Sequence, residues 1–311
     1  MFNTKMDIKV SPYPKTLYDA DNDMEMALEN KKKSKILNED EDQGEMDMIF
    51  WGGLLVYSIV NMSLTHLYPD NKDYQAVGKF NLIMSNLWAF FPIMQAQGLW
   101  LKGLLIGTCW YSILWHWTQA EFPMPGSSDM YGTLDTCFSC CIIIAYAISW
   151  LPKIKTYKPT PEDERGKFGW WYKSCRGPPK ETSEWRCRWT PNLVINIFVC
   201  STVMIYFAYH WPAYINEVDV ALLVCWFSIG IAVIVALWHL FRGKMRPGAG
   251  YRANFVFWVL SGFVFGPVAF VYKSKSDLKD VDRWIYHSTW HVYVFSCAYA
   301  FSRAQEYLEI Y

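Results

Sequence analysis

Apolar residues along this chain gather into long runs instead of alternating with polar ones. Eight runs can be drawn, near 48–66, 80–97, 101–118, 130–151, 192–210, 218–241, 253–272 and 284–302. Each carries almost no charge, and each has about the length, roughly 17–25 residues, that an α-helix needs to cross a hydrocarbon core. The second run is the weakest, because Asn81, Asn86, Pro92, Gln95 and Gln97 interrupt it. The pattern predicts an all-α, polytopic membrane bundle. Two polar stretches fall outside it. Residues 1–47, with Lys31, Lys32 and Lys33 followed by Glu39, Asp40, Glu41 and Asp42, read as a disordered tail and not as a signal peptide. Residues 152–191, rich in Lys, Arg, Gly, Pro and Trp, form the largest loop.

Composition agrees with this picture. The chain has 311 residues, of which 52% are hydrophobic, 18% aromatic and only 19% charged. Length alone would suggest about two soluble domains, but 17 Trp, 20 Tyr and 19 Phe exceed what a soluble core of this size requires. Seven of the nine Cys (Cys109, Cys137, Cys140, Cys141, Cys200, Cys225 and Cys297) lie in apolar runs, where they read as small packing residues. Cys175 and Cys187 lie in the polar loop, so no disulfide framework is expected.

The net charge is zero, with 29 basic and 29 acidic residues, and there is no basic stripe to suggest nucleic acid as a partner. Sorting the charges by alternating loops is more informative. Lys72, Lys79, Lys273, Lys275, Lys279 and Arg283 fall on one side, and all other Lys and Arg fall on the side of the N-terminal tail. The basic excess marks the cytosolic side. Both termini and the 152–191 loop are therefore expected in the cytosol. In that loop Lys153, Lys155 and Lys158, followed by Trp170 and Trp171, read as a positive-inside anchor or as an interfacial segment contacting anionic headgroups.

Ionisable residues inside membrane spans are costly and are functional-site candidates by default. Few occur here. Ser112 and His116 are one turn apart near the end of the third span, Asp135 lies near the start of the fourth, and His287 and His291 are one turn apart near the start of the eighth. Alternating direction puts these three helix ends at one depth, on the side with few basic residues. His66 and His239 lie at span ends and read as interfacial polar residues, while His210, beside Trp211 and Pro212, reads as a rim residue of the site or an alternative ligand. Three neutral imidazoles with an open fourth position suit catalytic zinc, which lowers the pKa of a coordinated water toward about 7 and polarises a carbonyl. A nearby carboxylate can shuttle a proton, and a hydroxyl can position water or a developing oxyanion. Bis-histidine haem suits the spacing less well.

Ser-x-x-x-His late in one helix, Asp early in the next and His-x-x-x-His early in the last resemble the CREST superfamily. That group includes alkaline ceramidases, progestin–adipoQ receptors, GPI-remodelling hydrolases and myomaker-like proteins. The segment from Tyr286 to His291, with Ser288 directly after the first His, is most similar to the myomaker-like and GPI-phospholipase branch. The resemblance implies a seven-helix core over residues 80–303, with 48–66 an additional N-terminal transmembrane helix. It also implies Zn2+ held by His116, His287 and His291, with Ser112 and Asp135 in the catalytic shell and Asp129 as an alternative acid. The expected activity is hydrolysis of an amide or ester bond in a lipid-like substrate, at a site open to the lumen or the extracellular space. The alternative is a non-enzymatic member whose structural zinc site serves a receptor or a membrane-remodelling role.

Overall fold

The computed structural model describes residues 43–64, 72–96, 98–120, 128–151, 191–209, 218–242, 250–278 and 283–307. The N-terminal tail, most of the 152–191 loop, His66 and His210 lie outside the described residues, as do Cys175 and Cys187. All regular structure among the described residues is helical. The helices are α1 (Gln43–Leu64), α2 (Lys72–Ser85), α3 (Phe90–Gln95), α4 (Leu99–Gln119), α5 (Ser128–Ser149), α6 (Pro191–Tyr209), α7 (Val218–Arg242), α8 (Tyr251–Leu278) and α9 (Arg283–Glu306).

Seven of the eight apolar runs coincide with single helices, to within a few residues at each end. The second does not. Its helix begins earlier, at Lys72, and breaks into a 3₁₀ turn at Asn86–Ala89 before α3. Pro92 accounts for the break, since it has no N–H to offer the carbonyl of Trp88 and its ring crowds that carbonyl. Local tightening to 3₁₀ geometry absorbs both defects.

Four helical segments are long and apolar enough to cross a membrane: Gln43–Leu64, Ser128–Ser149, Asn192–Tyr209 and Arg252–Ser276. A shorter apolar stretch, Ile229–Phe241, lies in α7. These helices leave large apolar side chains uncovered, among them Phe198, Ile205, Ile234, Phe241 and Leu260. Exposed apolar surface on this scale suits lipid and not water. α4 and α9 are long enough, at 21 and 24 residues, but they carry the polar, imidazole and indole side chains of the candidate site.

By packing, the described residues from Ser58 onward form one unit, and those before Ser58, from Gln43, belong to another. Within the larger unit α9 packs most extensively along α8, and also against α2, the 3₁₀ turn and α3. α4 packs on α5, and α5 in turn on α6 and α7. The segment from α2 to α3 touches both α4 and α9. A core of Leu104, Leu105, Cys140, Cys141, Ala145, Cys200 and Phe207 joins α4, α5 and α6. Gly107 leaves room on α4 for the ring of Phe138 from α5, which a Cβ there would displace. Small residues at helix contacts are the usual means of packing helices closely in a membrane.

Candidate metal centre

The ends of α4 and α9 bring together His116, His287 and His291, three buried side chains whose ligand atoms all lie within 4.8 Å of one another. The ring centroids form a nearly equilateral triangle, with separations of 4.9, 4.8 and 4.9 Å. Helix periodicity supplies two of the three positions, since His287 and His291 share one face of α9. Indoles wall the group. Trp115 stacks on His116 with centroids 4.9 Å apart, and Trp290 lies 5.0 Å from His287 and 4.9 Å from His291.

Hydrogen bonds around the rings determine where their protons sit. Ser85 Oγ donates its one proton to the carbonyl of Leu82 at 2.7 Å, so its 3.1 Å contact with His291 Nδ1 is accepted by the hydroxyl. His291 is therefore protonated on Nδ1. Gln119 Oε1, an acceptor, lies 2.9 Å from His116 Nδ1 and assigns the same tautomer there. Ser276 Oγ donates to the Lys273 carbonyl at 2.7 Å and stands 3.5 Å from His287 Nδ1, a long contact of the same sense. His116 and His291 thus have their Nδ1 directed at acceptors, which leaves their Nε2 atoms to serve as ligands. Partners of this kind orient metal-binding histidines generally.

This assignment sharpens the meaning of the 3.2 Å separation between His116 Nε2 and His291 Nε2. Neither nitrogen carries the proton a hydrogen bond would need, so two lone pairs face each other in a buried place. A cation between them removes the repulsion. Ligand nitrogens of an ion held tetrahedrally at about 2.0–2.1 Å stand about 3.3 Å apart, close to the spacing observed. The donor set, its geometry and its tautomers all fit a metal ion. The described residues form a three-histidine group that could hold one.

Asp135 and Ser112 occupy a different position. Both are buried, and the Ser112 hydroxyl donates to the Asp135 carboxylate. Ser112 is one turn from His116 on α4, so the pair borders the histidine group, but Asp135 is not one of the grouped ligands. Asp129, the alternative acid, is exposed to solvent, and its backbone carbonyl accepts from Thr133. The structure therefore separates the two acids by environment.

His239 differs from its expected interfacial role. It is buried, and its Nε2 lies 2.7 Å from the carbonyl of Trp150, just beyond the C-terminus of α5. Helix C-termini leave carbonyls without intrahelical donors, and His239 serves one of them. Sequence reasoning missed Ser85, Ser276 and Gln119. Only Gln119, one turn from His116, carried a usable signal; the two serines reach their histidines from α2 and α8.

Comparison of the chain with family models, with curated proteins and with solved structures gives no match in any of the three.

Proposed function

We propose that this chain is a zinc-dependent integral-membrane hydrolase that cleaves an amide or ester bond of a lipid-like substrate, and that it belongs to the CREST superfamily nearest the myomaker-like branch. The carrying observation is the convergence of three buried imidazoles whose ligand atoms all lie within 4.8 Å of one another. His116, His287 and His291 would hold the zinc. When bound, the ion supplies a Lewis acid and lowers the pKa of a water toward about 7. The chain's own residues supply the rest. Ser85, Gln119 and Ser276 hold the rings in the ligating tautomer. Asp135 takes up a proton, with Ser112 as the hydroxyl between the carboxylate and the site. Trp115 and Trp290 keep the surroundings apolar, which suits an acyl chain.

In this proposal the helices from about residue 80 onward form a seven-helix core, with α1 added before it. The basic excess places both termini in the cytosol and opens the site toward the lumen or the extracellular space. The partners are the bilayer and the lipid substrate.

A second interpretation has one observation in its favour. The three rings are only 1%, 4% and 3% exposed, as expected for a zinc ion that fastens α4 to α9 without turnover. Such a protein would act as a receptor or in membrane remodelling. One experiment separates the cases: zinc determination on the purified full chain, beside hydrolysis of fluorescent N-acyl amide and acyl ester lipids, for wild type, Asp135→Asn and Ser112→Ala. Turnover that disappears in the variants while zinc remains supports the hydrolase. Zinc without turnover in any form favours the structural site. A protein without zinc overturns both.

A further inference from the structure

The last turns of α1 are apolar and largely uncovered, with Ile59, Val60 and Met62 55%, 49% and 59% exposed. Asn61 interrupts them and is buried. A buried amide is costly unless its donors and acceptor are matched, and here they are matched on α9 and α2. Asn61 Nδ2 donates to Thr289 Oγ1 at 3.0 Å. Asn81 Nδ2 on α2 donates to Asn61 Oδ1 and to Ser288 Oγ, each at 3.0 Å. Both α9 hydroxyls donate their own protons to the carbonyl of Ile285, at 2.9 Å from Ser288 and 2.8 Å from Thr289. They therefore accept from the asparagines, and the network has one direction throughout. Ser58 Oγ, one turn before Asn61, adds a 3.2 Å contact to Tyr293 Oη.

The location of this network gives it consequence. Ser288 and Thr289 lie between the two α9 histidines, so whatever holds them sets the rotation of α9 at the site. A side-chain tip lies about 5–6 Å from a helix axis, so a turn of about 10° moves it by about 1 Å. Metal–ligand distances tolerate roughly 0.2 Å. Rotation that packing alone would permit is enough to spoil the centre.

We propose that Asn61 is a positioning residue of the metal site: through Thr289 and Asn81 it sets the rotation of α9 that brings His287 and His291 to their places. This rests on the metal-binding proposal above. It assigns α1 a role in the centre although α1 contributes no ligand.

The test uses the full chain in detergent, with Asn61→Leu, the nearly isosteric Thr289→Val, their double variant, and Met62→Ala as a lipid-facing control. Zinc affinity is measured by chelator competition, ligand geometry by the visible absorption of the Co2+-loaded protein, and folding by the unfolding midpoint of the metal-free protein. Asn61→Leu and Thr289→Val are each expected to weaken zinc binding about 10–100-fold and to alter the Co2+ spectrum. The double variant is expected to be little worse than either single, because both remove one interaction. Met62→Ala should leave zinc affinity and spectrum at wild-type values. If Asn61→Leu fails to fold, Thr289→Val decides. Wild-type zinc affinity and an unchanged spectrum in the folded variants, even with lowered unfolding midpoints, would show a merely structural contact and overturn the inference alone. A wild-type protein that binds no zinc would overturn the metal site and the inference together.

Discussion

The two ends of α9 both bury polar groups, yet they are built to different rules. At the C-terminal end, Arg303 is 5% exposed and pairs with Glu306, donates to Tyr307 Oη at 3.1 Å and lies over the Trp258 ring. Gln95 reaches Glu306 from α3, Gln305 donates to Ser149 Oγ at 2.7 Å, and Tyr146 pairs with Ser302 at 2.8 Å. Charge meets opposite charge, and donors meet acceptors, all within the chain. At the N-terminal end three buried imidazoles converge, with the Nε2 atoms of His116 and His291 3.2 Å apart and serine hydroxyls set against Nδ1 of His291 and His287. Burial of polar residues therefore does not by itself mark a functional site. The informative signature is like facing like, held in place by second partners.

Substitutions at the two ends should break this contrast in different ways. The largest effect is expected from His291→Ala, which should abolish stoichiometric zinc in elemental analysis of the purified protein. Asp135→Asn comes next, with turnover of N-acyl or acyl-ester lipids down about 10²–10⁴-fold and zinc content unchanged. At the opposite end, Arg303→Met leaves Glu306 without its buried partner. A loss of about 3 kcal/mol is expected, visible as a lower unfolding midpoint in detergent, again with zinc unchanged. Ser85→Ala should be the mildest, weakening zinc about 10–100-fold in chelator competition by freeing the His291 ring to turn. Zinc loss in Arg303→Met, or its retention in His291→Ala, would erase the distinction between the ends.

Helix positions and the candidate residues were legible in the sequence because both depend on local periodicity. Runs of apolar residues located α4 to α9, and i, i+4 spacing put His287 and His291 on one face. Helix direction brought His116 to the same depth. Less was legible where distant partners decide. Ser85, Ser276 and Asn61 each look like an isolated polar residue in an apolar helix, and only packing shows which ring or hydroxyl each one meets. His239 looked interfacial because sequence cannot show that a carbonyl from α5 waits beside it. The break at Asn86–Ala89 follows from Pro92, yet its choice of 3₁₀ geometry depends on packing against α4 and α9. α4 and α9, which are not among the four segments apolar enough to cross a membrane, carry the three-histidine group.

The fixed hydroxyls of Ser85 and Ser276 also bear on proton conduction. A hydroxyl passes a proton along a chain only by accepting one and releasing its own. These two have committed theirs to helix carbonyls at 2.7 Å, so relaying would cost a hydrogen bond of α2 or α8. They insulate the centre on those sides. Ser112 differs from them, because its hydroxyl donates to a carboxylate, that of Asp135, which can accept the proton.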